Sequence, residues 1–334
     1  MSELVIVLVK VVVVFGGLLT TAALMSLAER KVSAWMQYRI GPNRVGPFGL
    51  LQPLADGLKF IFKEELVPAG ANRLMFRLAP AMAAIPSMLT IAVIPFGTHF
   101  TLDGRRVDLS LADIDIGVLF LLAVGGLSVY GVILGGWSSN SKYSLLGGLR
   151  ASAQMISYEL SLILAILAVV TLSGSLNLRE IVAGQTEAWN VFRQPVGFLL
   201  FLVASFAETN RHPFDFAECE PELVGGFHTE YSAMRFALFF LAEYCAMTVM
   251  ASLNATLFFG GPSVPFVSEP HWLLSVLAFG AKTGFFLFLF LWVRWSLPRL
   301  RFDQLMRLGW KVMLPFALAN LLATGAWVAF TGGA

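Results

Sequence analysis

Apolar residues are grouped along the chain in eight long runs, and polar residues fill the segments between them. A helix of about 20 apolar residues crosses the roughly 30 Å hydrocarbon core of a bilayer. We therefore predict an all-α membrane protein with about eight transmembrane helices, of which the fifth is the shortest. The predicted spans are residues 4–28, 76–97, 114–136, 151–173, 195–207, 236–259, 272–293 and 312–330.

The composition agrees with a chain that lives mostly in lipid. It is 57% hydrophobic and 13% charged, and its mean hydropathy is +0.76. A soluble domain carries about 25% charged residues. We expect a single polytopic membrane domain over residues 1–334. The first apolar run has no basic segment before it and no small-residue cleavage site after it, which predicts a retained helix and not a signal peptide.

Lys and Arg residues indicate how the spans are oriented, because loops on the inner side of a membrane carry an excess of them. Most lie in the loops after spans 1, 3, 5 and 7, at residues 29–75, 137–150, 207–235 and 294–311. The loops after the other spans hold only Arg105, Arg106, Arg179 and Arg193. The pattern predicts a cell or inner membrane protein whose basic loops face the cytoplasm or matrix and whose termini both lie outside.

The first inner loop is predicted to contain an amphipathic helix. Gly–Pro pairs at 41–42 and 46–47 favour turns, and apolar residues recur at helical spacing afterwards. These apolar residues are Leu50, Leu51, Leu54, Leu58, Ile61 and Phe62. Such a helix lies at the membrane surface, either as a plain anchor or as the wall of a site. In the second case Arg30, Arg39 and Arg44 offer hydrogen-bond donors to a carbonyl or to an acidic partner.

Three ionisable residues lie well inside predicted spans, namely Glu159, Glu243 and Lys282. Charges inside hydrocarbon are costly, so we expect each to face the bundle interior or a water-filled cavity. One interpretation is a buried ion pair of Lys282 with either glutamate. The other is a site that takes up and releases protons.

The stretch from Glu208 to Glu243 is rich in carboxylates for so apolar a chain. They are Glu208, Asp215, Glu218, Glu220, Glu222, Glu230 and Glu243. Apolar residues such as Phe214 and Phe227 are interleaved with them, so we expect this loop to be packed. Glu218 and Glu222 share a face if the segment is helical, where like charges repel unless a proton or cation is shared. Perturbed carboxylates cluster at working sites, which favours a route for protons or cations.

Several classes of protein are excluded. The two cysteines, Cys219 and Cys245, cannot by themselves ligate an iron–sulfur cluster, and the four histidines form no pair inside a span for haem. A net charge of +2 gives no nucleic-acid footprint. The residues leave open a secondary transporter, a membrane subunit of a redox-driven pump, and a pure assembly anchor. Transporters often show internal repeats, and none is visible here, which favours the second class.

Three motifs resemble one family closely. ERKVSAWMQYRIGPNRVGPFGLLQPLADGLKFIFKE (29–64) resembles the first inner loop of the H subunit family of proton-translocating NADH:quinone oxidoreductase, respiratory complex I, whose mitochondrial counterpart is NADH dehydrogenase subunit 1. AETNRHPFDFAECEPELVGGFHTEYSAMRFALFFLAEY (207–244) and RASAQMISYEL (150–160) resemble two further signatures. With the eight-span layout, the resemblance covers nearly the whole chain. The family is shared with related membrane hydrogenases, so the quinone-chamber subunit of a hydrogenase-type complex is the alternative.

The resemblance implies an enzyme subunit with no redox centre of its own. The whole complex would oxidise NADH, reduce a quinone and translocate protons. FMN and the iron–sulfur clusters would be on partner subunits, and quinone would be the substrate. This subunit would anchor the peripheral arm, form much of the quinone chamber, contact membrane lipid and adjoin small membrane-arm subunits leading to antiporter-like ones. Ubiquinone and menaquinone both remain open.

The motif match also implies residue roles. The chamber would be lined or supported by Glu29, Arg30, Gln37, Arg39, Gln52, Asp56 and Lys59. A path for protons or charge would be formed by Glu208, Asp215, Glu218, Glu220, Glu222, Glu230 and Glu243, with Glu159 continuing it, and the in-span Lys282 is grouped with it. His212 stands where the family more usually has an apolar or hydroxyl residue, and no role is assigned to it.

Overall fold

The computed structural model describes residues 3–102, 105–218, 220–265, 267 and 270–331, with the side chains of residues 3, 102, 105, 220 and 221 outside that description. Within the described part, seven helical segments are long and apolar enough to cross a membrane. They are Leu4–Met36, Arg73–Val93, Gly117–Ser138, Lys142–Ser173, Ala233–Phe258, Trp272–Ser296 and Phe302–Thr331. An eighth apolar helix, Pro195–Glu208, is shorter. The prediction of an all-α membrane protein is therefore confirmed in outline.

Individual elements follow the chain in this order: α1 Glu3–Met36, α2 Gln52–Phe62, α3 Arg73–Leu89, β1 His99–Leu102, β2 Arg105–Asp108, α4 Gly117–Gly126, α5 Ser128–Ser138, α6 Lys142–Ser173, α7 Leu178–Ala183, α8 Asn190–Arg193, α9 Pro195–Glu208, α10 Glu220–Leu223, α11 Ala233–Phe258, α12 Trp272–Ser296, α13 Phe302–Arg307 and α14 Leu314–Thr331. Three 3₁₀ turns, Pro47–Gly49, Thr90–Val93 and Gly226–His228, and a π-helical turn, Leu308–Met313, complete the described elements.

Helix ends differ from the hydropathy prediction where polar residues continue a helix beyond the apolar run. Helix α1 extends to Met36, eight residues past the predicted end at 28, so Glu29 and Arg30 lie on a helix and not in a loop. The predicted third span is two helices, because α4 and α5 are separated at Leu127, directly after Gly125 and Gly126. Glycine disfavours the helical state and permits such a break.

A short antiparallel hairpin was not predicted. Strands β1 and β2 pair with His99 opposite Asp108 and Phe100 opposite Val107. The signal in the sequence is the Asp–Gly pair at 103–104, which is typical of hairpin turns and lies outside the described residues.

Small residues bring helix α5 close to two neighbours. A Cβ at Gly131 would lie 2.5 Å from the backbone nitrogen of Ala83 in α3, and one at Gly136 would lie 2.5 Å from the carbonyl of Ser144 in α6. Close backbone approach at small residues is the usual way in which membrane helices associate. The main core lies between α6, α9, α11 and α12, and this packing fixes the inner ends of those helices beside the acidic loop.

Candidate functional site

Arg211, just after α9, lies at the centre of a buried group of charges. Its side chain is 3% exposed, and its Nη1 lies 3.2 Å from Glu29 Oε2 while its Nε lies 2.7 Å from Glu243 Oε1. The guanidinium also stacks on Tyr244, 4.6 Å from the ring centroid. Arg211 therefore joins the inner end of α1 to α11.

Glu29 carries the other half of this group. Its Oε1 lies 2.6 Å from Nη1 of Arg294, and the Tyr244 hydroxyl donates to Oε2 at 2.8 Å. We call Glu29, Arg211, Glu243, Tyr244 and Arg294 the arginine cluster. Its two carboxylates face two guanidinium groups, so the charges balance, as burial of ions requires.

The surroundings of Arg211 favour its charged form. Burial, the largest single influence, opposes the charge, but the carboxylates of Glu243 and Glu29 outweigh it and raise the pKa of Arg211 above its usual value. Arg211 is thus a fixed cation between two acids. Any change of charge on one side of it alters the balance on the other.

A small cavity of about 60 Å³ lies beside the arginine cluster. Its ionisable lining residues are Glu208, Glu218, His228 and Glu243. A site of this polarity and size has room for a few water molecules. We call it the first cavity.

A second cavity of about 50 Å³ continues from the first. Glu208 lines both, and the second also contains Glu159. The Oε2 atom of Glu208 is buried and accepts no hydrogen bond from any described residue. Glu243, Glu208 and Glu159 therefore lie along two adjoining polar cavities, with Glu208 at the junction. We call these three residues the carboxylate line.

Glu159 lies against Gly126, where the chain has no side chain. A Cβ added at Gly126 would lie 2.9 Å from Glu159 Oε1. The adjacent Gly125 differs, because a Cβ there would meet nothing within 4 Å. Only the first of these glycines makes space for the carboxylate.

Gly126→Ala is expected to reduce quinone-coupled turnover about two- to tenfold while leaving assembly intact. The new methyl group displaces only the mobile end of Glu159, and a misplacement of about 1 Å can cost up to about 100-fold in catalysis. Turnover of the purified complex measures this, with Gly125→Ala as the matched control. Equal effects of the two substitutions would remove the Glu159 position from the account.

His228 supplies an uncharged polar group to the first cavity. Burial lowers the pKa of His228 to about 4, and the opposing influence of Asp215 is smaller. The imidazole is therefore neutral near pH 7. It can donate or accept one hydrogen bond there without adding a charge beside the carboxylates.

The lowered pKa predicts a loss of stability in acid. The unfolded imidazole, with a usual pKa of about 6.5, binds a proton before the folded one does. His228 therefore contributes stability above about pH 6.5 that is lost as the pH falls toward 4, on the order of 3 kcal/mol. Thermal inactivation of His228→Gln should vary less between pH 7 and 5 than that of the unmodified protein. An unchanged difference between the two pH values would contradict a buried neutral imidazole.

The remaining acids of the loop 207–235 are held differently from one another. Asp215 lies 3.1 Å from His212 Nε2, and its carbonyl accepts a hydrogen bond from Arg299. Glu222 is exposed and pairs with Arg150 of α6 at 2.5 Å. Glu230 is half-buried, and the side chain of Glu220, the first residue of α10, lies outside the described part of the structure.

Gln154 of α6 fixes the start of this loop. Its Nε2 lies 2.8 Å from the carbonyl of Ala207, 2.7 Å from that of Phe214 and 3.2 Å from Asn210 Oδ1. Sequence reasoning assigned Gln154 no role, although it lies within the motif 150–160. The buried amide explains how a loop so rich in acids is packed on α6.

The residues predicted to form a chamber fall into two groups. Arg30 pairs with Asp56 at 2.7 Å, and Gln52 donates to Asp56 Oδ1 at 3.2 Å, so α2 is tied to the end of α1. Gln37 and Arg39 hydrogen-bond to each other on the exposed turn after α1. Lys59 is exposed on α2. Glu29 alone is separate from them, because it belongs to the arginine cluster.

The amphipathic helix is confirmed as α2. Its apolar side chains face away from the rest of this chain, with Leu54, Leu58 and Ile61 all more than half exposed. A surface of this kind is suited to lipid or to a partner.

The anticipated ion pair of Lys282 with Glu159 or Glu243 does not form. The Lys282 ammonium donates to the carbonyls of Phe259, Gly261 and Ser263 at 2.7, 2.9 and 2.7 Å. These carbonyls follow the end of α11, where a cation is favoured by the helix dipole. Glu243 instead pairs with Arg211, a residue of the loop after α9. The sequence identified the buried charges but not their partners.

No group of three or more His, Cys, Asp or Glu residues in the described part of the chain is arranged to hold a metal ion. The chemistry available in the site is proton binding, hydrogen bonding and electrostatics. Fold and site together define a multi-pass helical membrane protein with a buried, charge-balanced cluster beside a line of carboxylates.

Comparison with known proteins identifies the family. Residues 9–325 match the family described as NADH dehydrogenase. The chain is 55% identical over 321 residues to an H subunit of the NADH-quinone oxidoreductase of Geobacter metallireducens, covering 96% of this chain and 95% of that one. It is 50% identical to an H subunit from Cytophaga hutchinsonii, covering 95% of each chain. The NADH-quinone oxidoreductase subunit 8 of Rhodothermus marinus is also 50% identical, again with 95% of each chain covered. The chain belongs to the NADH dehydrogenase family, and its relatives are H subunits of the NADH-quinone oxidoreductase complex.

Proposed function

We propose that this subunit forms much of the quinone-binding chamber of a respiratory complex I and passes the charge change of quinone reduction to the carboxylate line. The observation that carries the proposal is Arg211, which contacts Glu29 on one side and Glu243 on the other. Glu29 adjoins the residues expected at the chamber, and Glu243 adjoins the first cavity. One fixed cation thus connects the two sets of residues.

The chain's own residues would act through electrostatics. Reduction of a quinone to a quinol takes two electrons, supplied by a partner subunit, and two protons. Negative charge that develops on the chamber side attracts Arg211 toward Glu29 and weakens its pairing with Glu243. The Glu243 carboxylate can then bind a proton from the first cavity, and Glu208 and Glu159 can exchange protons in turn. Coupled acids of this kind titrate as a group.

The arrangement in the membrane follows from the basic loops. We propose eight spans, with the short α9 as the fifth, both termini outside, and the loops 29–75, 137–150, 207–235 and 294–311 on the cytoplasmic or matrix side of a cell or inner membrane. The exposed apolar face of α2 would lie at the inner surface. The entire chain would be one membrane domain.

The proposed partners supply what this chain lacks. FMN and the iron–sulfur clusters would be carried by peripheral subunits that dock on the inner loops, and quinone would enter from the membrane. Small membrane-arm subunits would adjoin Glu159 and lead to the antiporter-like subunits. Either ubiquinone or menaquinone is compatible with the residues described.

Arg39 tests the chamber or docking side of the proposal. Arg39→Ala should raise the KM for quinone, or lower the yield of assembled complex, by about five- to tenfold, the loss expected for one charged contact of roughly 1–1.4 kcal/mol. The residue is exposed, so the fold itself should be unaffected. Quinone kinetics and complex yield measure the effect, with the exposed Lys63→Ala as control. Unchanged values of both would remove Arg39 from the site.

A further inference from the structure

We infer that the opposite half of the molecule holds a binding site for an anionic phospholipid, in a groove of about 630 Å³ between α1, α11, α12 and the β1–β2 hairpin. The groove is separate from the arginine cluster and from both cavities of the carboxylate line. Its volume is within the range of about 300–1,000 Å³ typical of ligand sites.

The floor of the groove is open and apolar. Gly17 of α1 and Gly280 and Gly284 of α12 line it, and a Cβ added at any of them would meet nothing within 4 Å. The remaining walls are mostly aliphatic and aromatic, with Phe96 and Phe279 facing each other at 5.8 Å between ring centroids. A hydrocarbon chain matches these walls.

Two hydrogen-bond donors in the groove are left over. The Lys10 ammonium has three protons, and the acceptor found for it among the described residues is the Ser110 carbonyl at a long 3.4 Å. Thr283 is 7% exposed, and its hydroxyl has no described partner. The other hydroxyls differ, since Thr248 and Ser252 bond to carbonyls of their own helix at 2.8 Å. Leftover donors favour a ligand that offers acceptor oxygens, such as a phosphate and acyl esters.

The charge at the mouth of the groove selects an anion. Arg179 also reaches Ser110, through its hydroxyl, but is paired with Asp108 at 3.2 Å and Asp113 at 3.0 Å. Lys10 has no such carboxylate among the described side chains, so it is the cation left for a ligand. Phe100 at the mouth packs near Trp272, 6.1 Å between centroids. Tryptophan is enriched at the membrane interface, the depth of a lipid phosphate.

The test uses the assembled complex in nanodiscs that contain a phosphatidylglycerol or a phosphatidylcholine with a photoreactive diazirine on one acyl chain. Cross-linked peptides are quantified by mass spectrometry. Gly17→Leu fills the groove, and Gly16→Leu is the matched control, because Gly16 is also free of contacts within 4 Å but does not line the groove. Lys10→Gln removes the cation without filling the space.

We expect labelling of the lining segments of α1 and α12, reduced at least about fivefold by Gly17→Leu and unchanged by Gly16→Leu. Lys10→Gln should reduce the preference for phosphatidylglycerol about fivefold, the order expected for one lysine beside an anionic lipid. Equal labelling of the two glycine variants would overturn the inference. So would a cross-link from the groove to a helix of another subunit, or loss of the label on addition of quinone, since each would identify a different occupant.

Discussion

Glu208→Gln is expected to lower quinone-coupled turnover about 10- to 100-fold, while oxidation of NADH by an artificial acceptor remains normal. Glu208 lies at the junction of the two cavities, and its buried Oε2 has no described donor. Glutamine keeps the shape but cannot bind and release a proton. Proton transfer by a placed side chain contributes about 10²–10⁴-fold to a rate, so the lower part of this range is expected where cavity water can substitute in part.

The control for this substitution is Glu222→Gln in the same loop. Glu222 is exposed and pairs with Arg150 on the surface, and it lines neither cavity. Its turnover should stay within about twofold of the unmodified complex, because surface ion pairs contribute little, about 0–1 kcal/mol. If Glu208→Gln and Glu222→Gln had equal turnover, or if Glu208→Gln also lost artificial-acceptor activity at normal assembly, Glu208 would not belong to a proton path.

Arg211→Leu is expected to prevent assembly of the complex. It leaves Glu29 and Glu243 buried near each other with Arg294 as the remaining cation of the cluster. Removing one partner of a buried ion pair costs about 3–5 kcal/mol, a large share of a protein's total stability. The yield of complex in membranes measures the loss.

A second substitution separates stability from function. Adding Glu243→Gln to Arg211→Leu restores the charge balance of the cluster, with Glu29 paired to Arg294, so assembly should recover while turnover should not. The surface variant Arg150→Leu should assemble normally. Full turnover in the recovered double variant would contradict the role given to Arg211 and Glu243.

The sequence predicted the membrane elements well because one physical property dominates them. Burial of about 20 residues in hydrocarbon demands an apolar run, and all seven long spans of the described structure coincide with predicted runs. The helix α2 was predicted for a similar reason, since its period is visible in a single face. Helix ends were less accurate, because Glu29 and Arg30 continue α1 by packing and not by hydropathy.

The site could be predicted only in part. The carboxylates stand out because acids are rare in this composition, but their neighbours depend on how distant segments meet. Glu29 and Arg211 are 182 positions apart, and Glu29 and Tyr244 are 215 apart. Arg294 was counted only as a basic loop residue, although it holds Glu29. Lys282 illustrates the same limit, because three backbone carbonyls took the place of the expected carboxylate.

Infrared difference spectroscopy of the reconstituted complex, recorded as its quinone is reduced, tests the central claim most directly. The carboxylate line predicts a change in the C=O stretching band of protonated carboxyl groups, present in the unmodified complex and in Glu222→Gln and absent or greatly reduced in Glu208→Gln. The same band in all three would mean that Glu208 does not change its protonation when quinone is reduced, and the proposed link between the arginine cluster and the carboxylate line would be wrong.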